Sequence, residues 1–513
     1  MKISNEIFKI PNRQDTSHEL VYIAKIPPIG LSSYNIIAKR TKRSLIKKLS
    51  KNQQKTYFLR QVANNKSIFD DDDFDETTTD NKIDFGNINK EVVSIDETSS
   101  VVTPRITATI LNYTKENTFE TTTTVKKNTA KVNSVRNTTK IDPGAYIFRA
   151  KESNPIPIID YIDTKIYKND VVEEIHCKYS NYASFVAKLY KDSPILEIDW
   201  TVGPAPIEDA LGKEIFIRYT TNLLNNGVFY TDSNGRQTIK RIKNTRAMYE
   251  PYNFDPIAGN FYPVTTRIYV EDMRRNLRFS IFNDRAQGGA SILEGTIDLM
   301  ILRRLFTDDN KIQAFLNETE YGQGLIVRGS HYLYLTKANF KQNRLFEKKL
   351  SKEIELKPQI FIAVNDKWSN NYKTFTGLKS KLPFGVHILS LEKINNALLL
   401  RIENYLEKTE VVKNKVKYVD LNEIFVNIKI ISLAETTLGG HILKDDWMPI
   451  KWENKGGFVD NFNDFYGNNV TEVKKRKYEE IIRDNEEVLQ GVTLVPQQIR
   501  TFIIEYKYIE KKL

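Results

Sequence analysis

Alternation of apolar and polar residues is the dominant pattern in the long C-terminal part of the chain. Within residues 197–202, Ile198, Trp200 and Val202 alternate with polar residues, and residues 501–507 follow the same pattern less strictly. Successive side chains of a β-strand point to opposite faces of the sheet. A period of two therefore predicts strands with one buried and one solvated face.

Glycine-containing turn signals separate the predicted strands. They occur at residues 232–235, 288–289, 322–324 and 439–440. The first of them is a good candidate for a tight hairpin. Together with the alternation, these signals predict an all-β sandwich architecture. Apolar residues at helical spacing predict a single helix near residues 478–489.

The composition fits a folded protein with a basic surface. The chain has 513 residues, 40% of them apolar, and a net charge of +11. That length is enough for about three domains. Lysines cluster at residues 42–55 and 474–477, as polyanion binding requires, but neither zinc-finger spacing nor an RNA-binding signature accompanies them. We expect a solvated basic surface and no nucleic-acid partner.

Targeting signals and disulfides are also missing from the sequence. Cys177 is the single cysteine, which excludes an internal disulfide framework. The first residues contain no apolar run long enough for a signal peptide, and no later run approaches the length of a membrane span. As written, the chain is expected in the cytosol, without a membrane partner.

Residues 41–140 differ in composition from the rest of the chain. They contain an acidic run at residues 70–73, threonine runs at residues 77–79 and 121–124, and few large apolar residues. A segment of this kind cannot bury enough apolar surface to offset its ordering entropy. We expect a low-complexity insertion that is mostly disordered.

Residues 279–311 form the most informative unit of the sequence. Two strand-length apolar runs, at residues 279–282 and 297–302, are joined by an Asn-Asp-Arg turn at residues 283–285 and a glycine pair at residues 288–289. Glycine permits backbone angles closed to other residues. The unit is therefore interpreted as two buried strands joined by a shaped loop.

The amino-acid sequence of residues 279–311 resembles the C-terminal, non-catalytic half of the lysosomal-type α-mannosidases of glycoside hydrolase family 38. Further similar motifs occur in the same order: GAYIF from Gly144, EIDWTVGPAPIEDALGKEI from Glu197, FYTDSNGR from Phe229, AGNFYPVTTRIYVED from Ala258, VRGSHYLYL from Val327, LPFGVHILSL from Leu382, ETTLGGH from Glu435 and QIRTFIIEY from Gln498. This collinear resemblance covers roughly residues 141–510.

The resemblance implies a domain organisation. A galactose-mutarotase-like β-supersandwich is expected at residues 141–410, followed by a smaller C-terminal β-sandwich at residues 411–513. Residues 1–40 would be a remnant strand segment that precedes this β half, and residues 41–140 the disordered insertion.

No catalytic constellation can be assembled from the residue types and their spacing. The five histidines are His18, His176, His331, His387 and His441. None belongs to a His-x-Asp pair or an HExxH helix, and the sequence has no Gly-x-Ser-x-Gly elbow and no phosphate-binding loop. We expect the histidines to be structural or exposed. This chain should bind no metal or other cofactor.

The resemblance implies that the zinc, the nucleophile and the acid/base residue of family 38 belong to an N-terminal catalytic domain. This sequence does not contain that domain. Two pocket-wall positions carry over. Tyr146 matches the family tyrosine, whereas Lys311 stands where the family typically has arginine. Lysine keeps the positive charge but loses the planar fork that binds two oxygens at once. From the residues alone, Tyr146 would be a core tyrosine.

Three classes of function remain open. The chain is either the β half of an α-mannosidase that needs a separate or missing catalytic domain, or an inactive relic that binds a glycan or a protein partner, or a polyanion-binding protein. For the first class, the resemblance implies a separate α-mannosidase catalytic chain and a mannose-containing glycan as partners. It also implies a lysosomal location.

Overall fold

The structure is a computed structural model. It describes residues 19–24, 30–32, 58–63, 106–115, 150, 154–160, 162–209, 211–245, 256–305, 316–339, 341–358, 374–410, 416–448 and 491–509. The chain divides into two compact units, one of residues Thr78–Gln359 and one of Met1–Thr77 with Ile360–Leu513. Almost all regular elements are strands, so the prediction of an all-β fold is confirmed.

The first strands of the chain are β1 (Glu19–Ala24), β2 (Gly30–Ser32) and β3 (Phe58–Ala63). The unit Thr78–Gln359 then contains β4 (Ile106–Lys115), β5 (Ile156–Pro157), β6 (Asp163–Lys168), β7 (Val172–Ser180), β8 (Ala183–Tyr190), β9 (Leu196–Val202), β10 (Gly212–Thr221), β11 (Val228–Ser233), β12 (Gln237–Ile242), β13 (Tyr262–Val264), β14 (Arg267–Asp272), β15 (Leu277–Asn283), β16 (Gln287–Ala290), β17 (Thr296–Arg304), β18 (Thr319–Glu320), β19 (Gln323–Gly324), β20 (Val327–Lys337) and the helix α1 (Lys341–Glu355).

Two antiparallel sheets face each other in this unit. The larger has nine strands in the order β12-β11-β14-β15-β20-β9-β8-β7-β6, and the smaller has six in the order β13-β16-β17-β10-β4-β5. One apolar core joins them, with Trp200 and Ile281 from the larger sheet packed among Ile217 and Leu299 from the smaller. This is the sandwich that the alternating pattern predicts, and Trp200 and Val202 are buried as expected.

Strand β4 pairs with β10 over its full length, from Ile106 opposite Thr221 to Lys115 opposite Gly212. It lies within residues 41–140, the segment predicted to be mostly disordered. Its alternation of threonine with isoleucine and leucine suits a strand in a sheet. Residues 106–115 of the segment predicted to be mostly disordered therefore form a strand, whereas the threonine runs at residues 77–79 and 121–124 lie outside the described residues.

The glycine pair at residues 288–289 lies inside β16 and not in a turn, which corrects the sequence interpretation. A β-carbon on Gly289 would stand 2.6 Å from Val264 Cγ2 and 3.0 Å from Ile268 Cδ1. Such distances are too short for carbon atoms in contact. Glycine is needed here because neighbouring side chains fill the space above the strand.

Helix α1 covers the outer face of the nine-stranded sheet, and the sequence analysis did not predict it. Phe346 and Ile354 of the helix pack on Phe282 of β15 and Tyr332 of β20. The residues of β15 that alternate with Phe282 point to the opposite face and pack in the main core. Both faces of β15 are therefore buried, which explains why residues 279–282 are mainly apolar. The helix predicted near residues 478–489 lies outside the described residues.

A buried carboxylate fixes α1 to the sheet. Glu347 is fully buried and accepts hydrogen bonds from Arg267 Nη1 at 2.9 Å, Arg278 Nη1 at 2.8 Å and Ser280 Oγ at 2.6 Å. Burial disfavours the charged form of Arg278, but the carboxylates of Glu347 and Glu271 outweigh this effect and raise the pKa of Arg278.

The second compact unit contains β21 (Thr374–Thr376), β22 (Val386–Ile394), β23 (Ala397–Asn404), β24 (Lys417–Asp420), β25 (Ile428–Thr436), β26 (Gly491–Leu494) and β27 (Ile499–Tyr508), together with β1 to β3. Four of them form a sheet in the order β22-β23-β27-β25, and the pairs β24-β26, β2-β21 and β1-β3 form two-stranded sheets. Leu400, Ile402, Phe502 and Ile504 lie at the centre of the core.

The pairing of strands β22 and β23 can be compared with the domain boundary expected at residue 410. The sequence placed residues 386–404 in the larger domain, which was expected to end at residue 410. In the structure, β23 pairs with β27, because residues Ala397 to Glu403 match Ile499 to Glu505 in antiparallel register. The C-terminal unit accordingly reaches back to Ile360. No helix among the described residues has the length and apolarity required to cross a membrane.

The substitution Glu347→Gln is expected to destabilise the protein by about 3 kcal/mol, because it leaves two buried guanidinium groups facing a neutral amide. Urea unfolding of the purified chain measures this loss. Glu353→Gln on the same helix is the control. Glu353 pairs with Lys349 at 3.3 Å but is 40% exposed, so its loss should cost less than about 0.5 kcal/mol. Equal effects of the two substitutions would contradict the assigned role of Glu347.

Candidate functional site

The two pocket-wall residues expected from the sequence, Tyr146 and Lys311, lie outside the described residues. The structure does describe both ends of the segment that carries Lys311. Leu305 follows β17 and forms an isolated bridge with Leu316, with the Leu305 amide donating to the Leu316 carbonyl at 3.0 Å. The two residues that flank residues 306–315 are therefore hydrogen-bonded to each other.

Two arginines at the end of β17 bind partners from other parts of the fold. Arg303 donates from Nε and Nη2 to the carboxylate of Glu214, at 2.5 and 2.7 Å. Burial raises the pKa of Glu214, while Arg303 acts in the opposite direction. Arg304 donates to the Ala205 carbonyl at 2.5 Å and to Asn317 Oδ1 at 2.9 Å. The end of β17 and Asn317 are thus held in place by hydrogen bonds from charged guanidinium groups.

The turn at residues 283–285 is tied to strand β20. The carboxylate of Asp284 accepts two bonds from Arg285, both at 3.0 Å, and one from the Ser330 amide at 3.1 Å. Arg285 also donates to the Arg328 carbonyl and lies over the ring of Trp200, 5.5 Å from its centroid. The turn is therefore a rigid surface element, with the guanidinium of Arg285 partly exposed.

Below this turn, His331 forms a bridge between the two sheets. It is fully buried on β20, and its Nδ1 accepts a hydrogen bond from the hydroxyl of Tyr219 on β10 at 2.8 Å. Its Nε2 lies 3.0 Å from Oε1 of Gln287 on β16. Because an amide oxygen can only accept, Nε2 carries the proton. Burial lowers the pKa of His331 to about 3, so the ring is neutral.

The other described histidines also have partners within the chain or lie at the surface. His176 Nε2 lies 2.8 Å from Glu174, His387 Nδ1 lies 3.1 Å from Glu403, and His441 is exposed. His18 lies outside the described residues. Where the structure describes the chain, no three His, Cys, Asp or Glu residues form a group that could hold a metal ion. The described residues do not fit a zinc site.

Sequence reasoning found some of these residues and missed the partners of others. His331 was assigned a structural role, and its contacts support that assignment. The roles of Arg303, Arg304 and Glu214 were missed, although the Arg-Arg pair lies within the unit of residues 279–311. Only the tertiary fold brings Glu214 and Ala205 to these arginines, so the pair alone gave no specific signal.

Comparison with known proteins shows what this chain is similar to. Residues 106–311 match the family described as the Glycosyl hydrolases family 38 C-terminal domain. The match begins at the first residue of β4 and ends at Lys311. The lysosomal alpha-mannosidase of Cavia porcellus is 34% identical over 381 residues, which are 72% of this chain and 35% of that protein.

Two further relatives and one solved structure are also similar to this chain. The lysosomal alpha-mannosidase of Homo sapiens is 32% identical over 379 residues, 72% of this chain and 35% of the relative. An alpha-mannosidase of Canavalia ensiformis is 30% identical over 380 residues, 71% of this chain and 37% of the relative. The crystal structure of an alpha-mannosidase from Enterococcus faecalis V583 covers 71% of this chain and 37% of its own, with a TM-score of 0.40 and 13% identity.

These matches show that the chain is similar to the C-terminal region of family 38 α-mannosidases, with residues 106–311 matching the family's C-terminal domain. The chain spans 35% of the length of its mammalian relatives. The resemblance inferred from the sequence motifs is therefore confirmed.

The buried, neutral His331 should make stability depend on pH. Its pKa is about 3 in the folded state against an ordinary value of 6.5, so only the unfolded chain takes up this proton as the pH falls below about 6.5. We expect the free energy of unfolding to fall by about 2 kcal/mol between pH 7 and pH 5 from this residue.

Urea unfolding at the two pH values measures this dependence. His331→Gln should lower stability at pH 7 and remove that share of the pH dependence. The exposed His441 serves as the control, because His441→Gln should leave both stability and slope unchanged. A His331→Gln chain with the same pH slope as the wild type would show that His331 is not the responsible group.

Proposed function

We propose that this chain is the non-catalytic β half of a family 38 α-mannosidase, which hydrolyses α-mannosides of glycoprotein glycans together with a zinc-dependent catalytic domain. The observation that carries the proposal is the family 38 C-terminal domain at residues 106–311. The lysosomal alpha-mannosidases similar to this chain support the reaction and the location. The catalytic domain would be encoded in the same gene or on a separate chain.

The chemistry of the described residues supports a scaffolding role. Both ring nitrogens of His331 have partners inside the core, and the carboxylates of Glu214 and Glu347 are occupied by arginines. A glycosidase needs two carboxyls that face the sugar, and a catalytic zinc needs three protein ligands with an open position. On this proposal, the zinc and both carboxyls belong to the catalytic domain.

The contribution of the β half to the substrate pocket would come from Tyr146 and Lys311. The phenol of Tyr146 can donate a hydrogen bond to a sugar hydroxyl or to the nucleophilic carboxylate. Lys311 would contribute a positive charge to the wall of that pocket. A mannose-containing glycan would lie between these residues and the catalytic domain.

The activity of the purified chain tests this proposal. Alone, the chain should not hydrolyse an aryl α-mannoside above the buffer rate. Mixed with a separately expressed family 38 catalytic domain, it should give hydrolysis that a zinc chelator abolishes. In that mixture, Tyr146→Phe should lower the rate about tenfold through the loss of one hydrogen bond. Lys311→Arg should leave the rate equal or raise it, because it restores the planar fork.

The control is Tyr508→Phe, a substitution of an exposed tyrosine in the other compact unit, which should leave the rate unchanged. Chelator-sensitive hydrolysis by the chain alone would overturn the assignment of zinc and carboxyls to another domain. A mixture that stays inactive with an otherwise functional catalytic domain would favour a glycan-binding or protein-binding relic.

A further inference from the structure

Strands β18 and β19 form a short hairpin whose turn contains an unexpected residue. The two turn residues are Tyr321 and Gly322, and their φ angles are +52° and +75°. Positive φ at both central positions defines the tight hairpin turn that favours Asn-Gly, Asp-Gly or Gly-Gly. A bulky aromatic residue at the first position is an outlier, because its β-carbon crowds the backbone there.

The same chain contains this turn with the favoured residue. Strands β11 and β12 are joined through Asn234 and Gly235, whose φ angles are +53° and +67°. Across the described residues, the other non-glycine residues with positive φ are Asp192, Asn226, Asn234, Asn244, Asn276, Asn395 and Gln497. Tyr321 is the single aromatic residue among them, so the turn geometry does not account for its presence.

Burial does not account for it either. The side chain of Tyr321 is 77% exposed. The tip is open around its neighbour as well, because a β-carbon on Gly322 would meet nothing within 4 Å. An exposed ring contributes little apolar burial to the fold, so nothing in the folding energy compensates for the unfavourable backbone angle. Backbone strain at an exposed aromatic residue points to a contact outside the chain.

The base of the hairpin is rigid. A β-carbon on Gly324 would stand 2.6 Å from Nη1 of Arg304, so the strand lies directly on the guanidinium. That guanidinium is held by the Ala205 carbonyl and by Asn317. A ring presented on a fixed base loses little conformational freedom when it binds a ligand. The hairpin therefore has the preorganisation expected of a binding element.

The polar surroundings of the ring indicate the chemistry of the ligand. Glu318, Glu320 and Gln323 are exposed beside Tyr321. Carboxylates accept hydrogen bonds, and an amide both donates and accepts. A pyranose ring has C–H groups on its faces and hydroxyls around its rim, so it fits one aromatic ring bordered by such groups.

We propose that Tyr321 is a glycan-contact residue, on which a sugar unit of an α-mannose oligosaccharide stacks. The identity of the sugar rests on the proposed function. The hairpin begins three residues after Leu316, which forms a bridge with Leu305. Tyr321 would thus hold a sugar unit outside the reacting residue and contribute to selection for extended glycans over small mannosides.

Direct binding to the purified full chain tests this role. Binding of an α-linked mannotriose, followed by saturation-transfer NMR, should be saturable for the wild type. Tyr321→Asn should weaken it about five- to tenfold, and Tyr321→Phe, which keeps the ring, should stay within about twofold. The midpoint of thermal unfolding of Tyr321→Asn should equal or exceed that of the wild type, since asparagine suits the turn.

Asn234→Tyr is the matched control, because it places tyrosine in the same type of turn on another hairpin. It should lower the unfolding midpoint and leave mannotriose binding unchanged. Absence of saturable binding by the wild type, or unchanged binding by Tyr321→Asn, would overturn the proposal. Loss of association with a catalytic domain in Tyr321→Asn, at equal mannotriose binding, would overturn it in favour of a protein contact.

Failure of the proposed function would give a different result from failure of the Tyr321 proposal. In that case the mixture with a catalytic domain stays inactive on aryl α-mannoside for the wild type, while the mannotriose titration of the chain alone still reports on Tyr321. In an active mixture, Tyr321→Asn should lower kcat/KM for the mannotriose about fivefold and leave that for the aryl mannoside unchanged. Equal losses for the two substrates would contradict a contact outside the reacting residue.

Discussion

The hydrogen-bonded bridge through His331 is the constraint on which the arrangement of the sandwich depends. It joins β20 of the nine-stranded sheet to β10 and β16 of the six-stranded sheet through Tyr219 and Gln287. A buried polar group without a partner is costly, so each of the three side chains requires the other two in place. The bridge therefore fixes how the two sheets face each other. Apolar packing alone would allow more than one arrangement.

The surface elements near the candidate site follow from this arrangement. Trp200 packs beside His331 in the core, and Arg285 lies over the same indole from the outside. Strand β17 ends at Arg303 and Arg304, whose partners Glu214 and Ala205 fix the end of the strand. The sandwich thus supplies fixed attachment points for loops, and its buried charged groups serve the fold.

Much of the fold could be predicted from the sequence, and the physical reason is the period of two. The alternation at residues 197–202 predicted a buried Trp200 and Val202, and the residues 232–235 predicted the hairpin between β11 and β12. Helix α1 was missed because its buried face includes Glu347, which sequence patterns treat as a surface residue. Its burial depends on Arg267 and Arg278, distant in sequence.

The candidate site was less predictable for a related reason. Tyr146 and Lys311 were found through motif resemblance, and neither belongs to the described residues. Tyr321 was not singled out, because its significance lies in a backbone angle and an exposed side chain that no residue pattern encodes. The glycine pair at residues 288–289 suggested a turn, whereas close packing of Val264 and Ile268 requires glycine there.

The central claim is that this β half acts together with a catalytic domain, and sedimentation equilibrium of a mixture tests it most directly. The account predicts a one-to-one complex between the purified chain and a family 38 catalytic domain. The complex should persist at 0.5 M salt, because apolar contacts are not screened as exposed ion pairs are. Independent sedimentation of the two proteins at all concentrations, each folded, would contradict the account.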